Sequence, residues 1–141
     1  MITANQASAE QLILALTVYR EAANEPDHGR IAVAWTLRNR VQHPKWWGRD
    51  FYGVATAKWQ YSSISAPGDN QLGKWPKWDD PIFQRCLEIA GAVIAGAIAH
   101  PMPGADSYYA DYIPVPRWAT DDKMVGKIGH HIFYNLDEDR P

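Results

Sequence analysis

Residues 18–41 read VYREAANEPDHGRIAVAWTLRNRV, and this stretch decides the fold. A residue before proline is pushed out of the α region, so Pro26 predicts two helices separated by a short break. Upstream, Ser8 followed by Gln11 fits a capping box and starts a helix expected to run to about Glu25. Leu12, Ile13, Leu16 and Tyr19 make one apolar stripe, and Leu14, Val18 and Ala22 carry the apolar surface round the other side. A helix apolar nearly all round is normally enclosed by its fold. Glu21 follows Leu14 by seven residues and Val18 by three, so it lies on that second face. Burial there, and the negative end of the helix dipole, both disfavour its ionised form. Such a carboxyl suits a general acid. Glu25 stands one helical turn further on, its Cβ roughly 6 Å from that of Glu21. It is either a second carboxylate of the same site or a helix-end residue that binds a nearby amide or Arg30, and an orienting or electrostatic role is favoured over a covalent one.

Beyond the break, Asp27 can cap a second helix over about 29–43, with Ile31, Ala34, Trp35 and Val41 on one stripe. Pro44 ends it. Lys45 to Arg49 reads as a connection in which the adjacent Trp46 and Trp47 cover a core edge or line a binding surface. Phe51 to Lys58 allows a short helix, whereas 59–78 has no sustained period. A loop of that length in a small domain is more often functional than accidental. Asp80 at the cap and Pro81 at the first helical position start a third substantial helix, with Phe83, Leu87 and Val93 on its core face. Ser107 to Ala110 and His131 to Asn135 are short β-compatible runs, suited to pair into a small hairpin or sheet. The expected class is therefore mostly α with a small β element.

The chain of 141 residues shows no repeat, low-complexity segment or linker, so one domain over 1–141 is expected, without a separate binding module. One cysteine, Cys86, excludes an internal disulfide and reads as a buried hydrophobe. A net charge of −2 supplies no field for nucleic acid or an anionic membrane. The apolar run from Leu87 to Ala99 is too short to span a bilayer, so no membrane insertion is expected. Seven Trp and seven Tyr against three Phe favour rings with a polar handle, which suit a wet groove as well as a core. His130 and His131 are adjacent, poor geometry for joint ligation of one metal. With no H-E-x-x-H and no cysteine cluster, neither a metal nor another cofactor is expected. G-x-S-x-G and a glycine-rich phosphate loop are likewise missing from the chain.

Four segments in the same order then resemble the SleB/CwlJ-type cell-wall hydrolases, a family that includes spore-cortex-lytic enzymes and small phage-type endolysins. VYREAANE resembles the family's E-A-x-x-E segment, followed by Asn39, Arg40 and Val41 at the end of the second helix. GVATAKWQYS (53–62) resembles G-V-x(5)-Q-F/Y-S, GADSYYA (104–110) the G-A-x-x-Y turn and strand, and IGHHIFY (128–134) the I-G-x-H-x-F-Y ending. The resemblance covers about 12–135. It departs from the family at Ala23 and Asn24, where Arg-Gly is common, and at His100 and Pro101, where Asp-Pro is common.

The resemblance implies a lysozyme-like, lytic transglycosylase-like domain acting on peptidoglycan between N-acetylmuramic acid and N-acetylglucosamine, and it places Glu21 as the catalytic acid. Such an enzyme can dispense with a second carboxylate, because the muramic acid's C6 hydroxyl attacks and closes a 1,6-anhydro ring. A muramidase that admits water, and a glycan-binding module in which Glu21 is structural, are the alternatives. Supporting or substrate-binding candidates are Glu25, Asn39, Gln60, Ser62, Tyr108, Tyr109, His130 and Tyr134. Strand alternation puts Tyr108 and Tyr109 on opposite faces, so at most one is expected at the cleft and the other in packing. MITANQASAEQ has none of the regions of a secretory signal. A monomeric lysin made in the cytoplasm and released to the wall by another protein is therefore the expectation.

Overall fold

The computed structural model describes residues 1–45, 47–57 and 61–137, with the backbone alone at 62 and 65. Among the described residues, five α-helices precede a three-stranded antiparallel sheet: α1 Ala9–Ala22, α2 Asp27–Gln42, α3 Phe51–Thr56, α4 Ser62–Ser65, α5 Pro81–Ile94, then β1 Ser107–Ala110, β2 Met124–Ile128 and β3 His131–Tyr134. The α+β expectation holds. The first helix, α1, is flanked by α2, α3, α4 and α5. Leu14, Ala15 and Val18 are fully buried, so the face that also carries Glu21 is the deeper of the two on α1.

Ser8 Oγ accepts the Gln11 N–H at 3.0 Å, but the capping box is only half made. Gln11 instead donates through Nε2 to the Leu87 carbonyl at 2.9 Å, tying α1 to α5. Asp80 caps α5, with Oδ1 accepting from Ile82 N and Phe83 N, and Tyr19 Oη donates to its Oδ2 at 3.1 Å. Cys86 is fully buried, and burial pushes its thiol up to about 12, as befits an inert core group.

The first correction falls at the break. α1 ends at Ala22 rather than near Glu25, because Arg30 reaches back from α2 and donates through Nη2 to the Ala23 carbonyl at 2.6 Å, while Glu25 N turns onto the Ala22 carbonyl. Glu21 and Glu25 are therefore not successive turns of one helix. Asp27 is the first residue of α2 rather than its cap, and it pairs with Arg30 and Arg85.

The second correction concerns the sheet, whose order is β1-β3-β2. β1 and β3 pair as expected, Ser107 opposite Tyr134 and Ala110 opposite His131. β2 was not foreseen: its residues are half exposed and it carries a bulge between Met124 and Gly126, which hides the two-residue period. Gly129 at φ +55° makes the turn into β3. Asp106, fully buried, accepts from the backbone N–H groups of Leu136 and Asp137, both at 3.0 Å, and fixes the start of β1 to the chain that leaves β3.

Candidate active site

Glu21 lies in the last turn of α1, where the helix meets the sheet. Tyr108, from the middle of β1, donates its hydroxyl to Glu21 Oε1 at 2.6 Å. Two open cavities, about 320 and 550 Å³, share Arg20, Glu21, Gln71, Tyr112 and His131 in their walls, so Glu21 stands at the middle of a continuous groove. A smaller cavity of about 60 Å³ lies behind it, between Glu21, Arg40, Tyr61 and Tyr108.

Burial is the main influence on the Glu21 carboxyl and raises its pKa above the usual 4.5; repulsion from Asp69 adds to that. The hydroxyls of Tyr108 and Ser63 oppose the shift by favouring the carboxylate. Ser63 Oγ has no hydrogen-bond partner of good geometry, so the short Tyr108 bond is the firmer of the two. Burial and the neighbouring Glu21 push Tyr108 well above its ordinary value, which keeps it a donor. A carboxyl with raised pKa, held by one phenol and open to a groove on both sides, is fit to deliver a proton and take it back.

Arg20, adjacent in sequence, gives the groove its other wall. Its guanidinium donates through Nη1 to the Ser63 carbonyl, through Nη2 to that of Leu72 and through Nε to that of Lys74, at 3.0, 3.0 and 3.1 Å. The long loop is thus fastened to α1 next to Glu21. Trp75 lies across the same guanidinium, 4.6 Å from its ring centre. On the opposite side, Arg40 of α2 donates through Nε to the Asp106 carbonyl at 2.7 Å and fixes the entry to β1, hence the Tyr108 backbone.

The other candidates separate. Glu25 is buried, accepts the His130 backbone N–H at 2.9 Å and stands 3.5 Å from His131 Nδ1. It binds an amide, as one of its two expected roles had it, and Arg30 is used elsewhere. Tyr108 and Tyr109 do face opposite ways. Tyr108 packs with the main core beside Glu21, whereas Tyr109 joins Tyr134 and Ala119 in a second cluster and reaches only the outer groove.

Asn39 does not face the groove: at 3% exposure its amide donates to the Ala105 carbonyl at 2.9 Å, spent on joining α2 to the chain entering β1. Tyr134 is also withdrawn, stacked on Tyr109 and edge-on to Trp118 at 5.4 Å. The His130 ring is exposed and pairs with Asp111 at 3.2 Å, its backbone N–H is held by Glu25, and the residue lines the smaller of the two groove cavities. Gln60 lies outside the described residues, and Ser62 is described by its backbone alone, in α4. Trp47 covers a core edge, its Nε1 donating to the Arg40 and His43 carbonyls.

Sequence reasoning passed over Arg20 and His131. His131 stands at the histidine of the I-G-x-H ending and was the available signal; Arg20, a charge inside an apolar helix, was another. Among the described residues no group of His, Cys, Asp and Glu could hold a metal ion, and no helix is long and apolar enough to cross a membrane.

A family model described as Cell Wall Hydrolase matches residues 24–134. The match opens three residues after Glu21. No curated protein matches the chain. Among solved structures, the catalytic domain of the germination-specific lytic transglycosylase SleB from Bacillus anthracis is similar at 24% identity, covering 94% of this chain and 99% of that one, with a TM-score of 0.69. The catalytic domain of the Bacillus cereus SleB protein is similar at 24% identity, covering 95% and 96%, with a TM-score of 0.70. At that identity the likeness is one of fold.

Proposed function

The chain belongs to the cell wall hydrolase family, and from that premise we propose that it is a peptidoglycan lytic transglycosylase with Glu21 as its one acid and base. The carrying observation is the Glu21 carboxyl, raised in pKa by burial, held by Tyr108 at 2.6 Å and open to a groove that extends to both sides. A glycan strand laid along that groove would present a glycosidic oxygen to the acid. Glu21 gives its proton to the O4 leaving oxygen as the C1–O4 bond of N-acetylmuramic acid breaks and C1 gains oxocarbenium character. The C6 hydroxyl of the same sugar then bonds to C1, and its proton passes to the Glu21 carboxylate. No water is consumed, and the enzyme returns to its starting protonation state.

Most hydrolases of either stereochemistry use a second carboxylate facing the first across the scissile bond. Glu25 is turned onto the β2–β3 corner, which favours the reaction that needs one carboxyl. The test is mass spectrometry of digested peptidoglycan. New 1,6-anhydromuramic ends are expected, and Glu21→Gln should yield none. Reducing muramic ends would point to a muramidase instead, and no new ends to a glycan-binding module.

On the resemblance to small lysins we also propose a phage-type role, in which another protein gives the enzyme access to the wall. Lysis of a host only when a membrane-permeabilising protein is co-expressed is the expected result; lysis by this chain alone would count against it.

A further inference from the structure

His131 is a buried side chain with unused hydrogen-bonding capacity at the groove. It opens β3, is 5% exposed and lines both cavities that meet at Glu21. Its ring packs 4.7 Å from that of Tyr108, the residue whose hydroxyl holds Glu21. Nδ1 is buried without a hydrogen bond in good geometry, 3.5 Å from Glu25 Oε1. The polar atom left to the groove is Nε2.

Glu25 cannot easily move away from this ring. Its Oε1 accepts the His130 N–H, and its carboxylate lies so close under Gly129 that a Cβ there would collide with it. The carboxylate therefore stands on the Nδ1 side of His131 whether or not a ligand is present. An imidazole flanked this way carries its proton on Nδ1, and Nε2 is left with a lone pair. Burial lowers the proton affinity of the ring and His130 lowers it further, against the pull of Glu25 and Asp111, so the ring is neutral at neutral pH.

We propose that His131, oriented by Glu25, contacts the substrate: its Nε2 accepts a hydrogen bond from an O–H or N–H of the amino sugar bound beside Glu21. This inference rests on the reading of the groove as a glycan site. Glu25 is then a positioning residue. Its carboxylate sets the tautomer, and closure of the 3.5 Å gap to Nδ1 would accompany binding.

The experiment uses the Glu21→Gln protein, which binds without cleaving, and soluble uncrosslinked peptidoglycan glycan strands, with affinity read by calorimetry. His131→Phe keeps a ring against Tyr108 and removes the acceptor; it should weaken binding about tenfold. Glu25→Gln keeps an acceptor for the His130 N–H and removes the charge beside Nδ1. It should weaken binding less, and the two changes together should cost no more than His131→Phe alone. Equal affinity in the Glu21→Gln protein and in its His131→Phe derivative would overturn the inference and leave the glycan-groove reading standing. Failure of Glu21→Gln to bind strands at all would overturn both.

If His131→Phe does not fold, nitrogen NMR of the His131 ring in the Glu21→Gln protein decides. The expected result is a proton on Nδ1 in the free protein and a displaced Nε2 resonance when strands are added. A proton on Nε2, or an Nε2 resonance that does not move, would overturn the proposal.

Discussion

In the proposed mechanism Glu21 is held in a state that catalysis needs and stability does not. Its folded pKa is raised above the unfolded value near 4.5, so the native state binds the extra proton between the two. That contribution is complete below the unfolded value and is lost as pH rises through the folded one. Glu21→Gln should therefore unfold a few degrees higher than the parent at pH 8, with the difference gone at pH 4 in thermal melts. Activity follows the same titration from the other side, falling as pH rises through the Glu21 pKa. Tyr108→Phe removes a donor that favours the carboxylate, so the alkaline limb of kcat/KM should move to higher pH. The rate itself should fall roughly tenfold or more for the lost charge-assisted bond.

Gly129 is a second residue-scale control point. Its positive φ disfavours a side chain, and a Cβ would meet the Glu25 carboxylate. Gly129→Ala should cost about 2 kcal/mol or more in denaturant unfolding.

At the scale of elements, the groove is made where the C-terminal turn of α1, the loop over 61–78 and β1 come together. Arg20 joins the first two with three bonds to carbonyls, and a lysine cannot reproduce that planar fork. Arg20→Lys should raise KM with a smaller effect on kcat. It should also open 61–78 to limited proteolysis, read by mass spectrometry of early fragments. Cleavage confined to the chain ends would show that the loop is held by other means.

These junctions explain what was legible beforehand. The helices carried long apolar periods and cap residues at Ser8, Asp80 and Pro81, so their existence and type could be read. The end of α1 could not, because it is set by Arg30 reaching back to the Ala23 carbonyl from the next helix. β2 could not either, since a bulged edge strand has no clean alternation. Glu21 was found through the apolar face it shares with Leu14 and Val18. For Asn39 and Tyr134, supporting and substrate-binding roles could not be told apart beforehand, because the resemblance marks positions that matter without distinguishing a groove wall from the joint behind it.

For the whole molecule, acid is the stress to which the packing is exposed. His100 joins the chain after α5 to α2: its ring stacks on Trp35, Nδ1 accepts from Met102 N at 3.1 Å and Nε2 donates to the Ala105 carbonyl at 3.0 Å. Only the neutral ring satisfies both bonds, and burial holds its pKa down from the ordinary 6.5 to about 4. The unfolded chain takes up that proton first, so stability is full above pH 6.5 and declines as pH falls towards 4, by roughly 3 kcal/mol at the limit. Urea midpoints at pH 7 and 4.5 check this; in His100→Gln the drop between them should shrink.

The clamp on the 61–78 loop has an evolutionary consequence. Arg20 grips carbonyl oxygens, which every residue type possesses, so the fastening takes no account of the side chains at 63, 72 and 74. Neighbouring groove-wall positions such as Asn70 and Gln71 can then be exchanged for others while the loop keeps its path past Glu21. One buried guanidinium thus separates the inheritance of a shape from the inheritance of a preference, and a lineage facing altered walls could retune what it recognises without rebuilding what cuts.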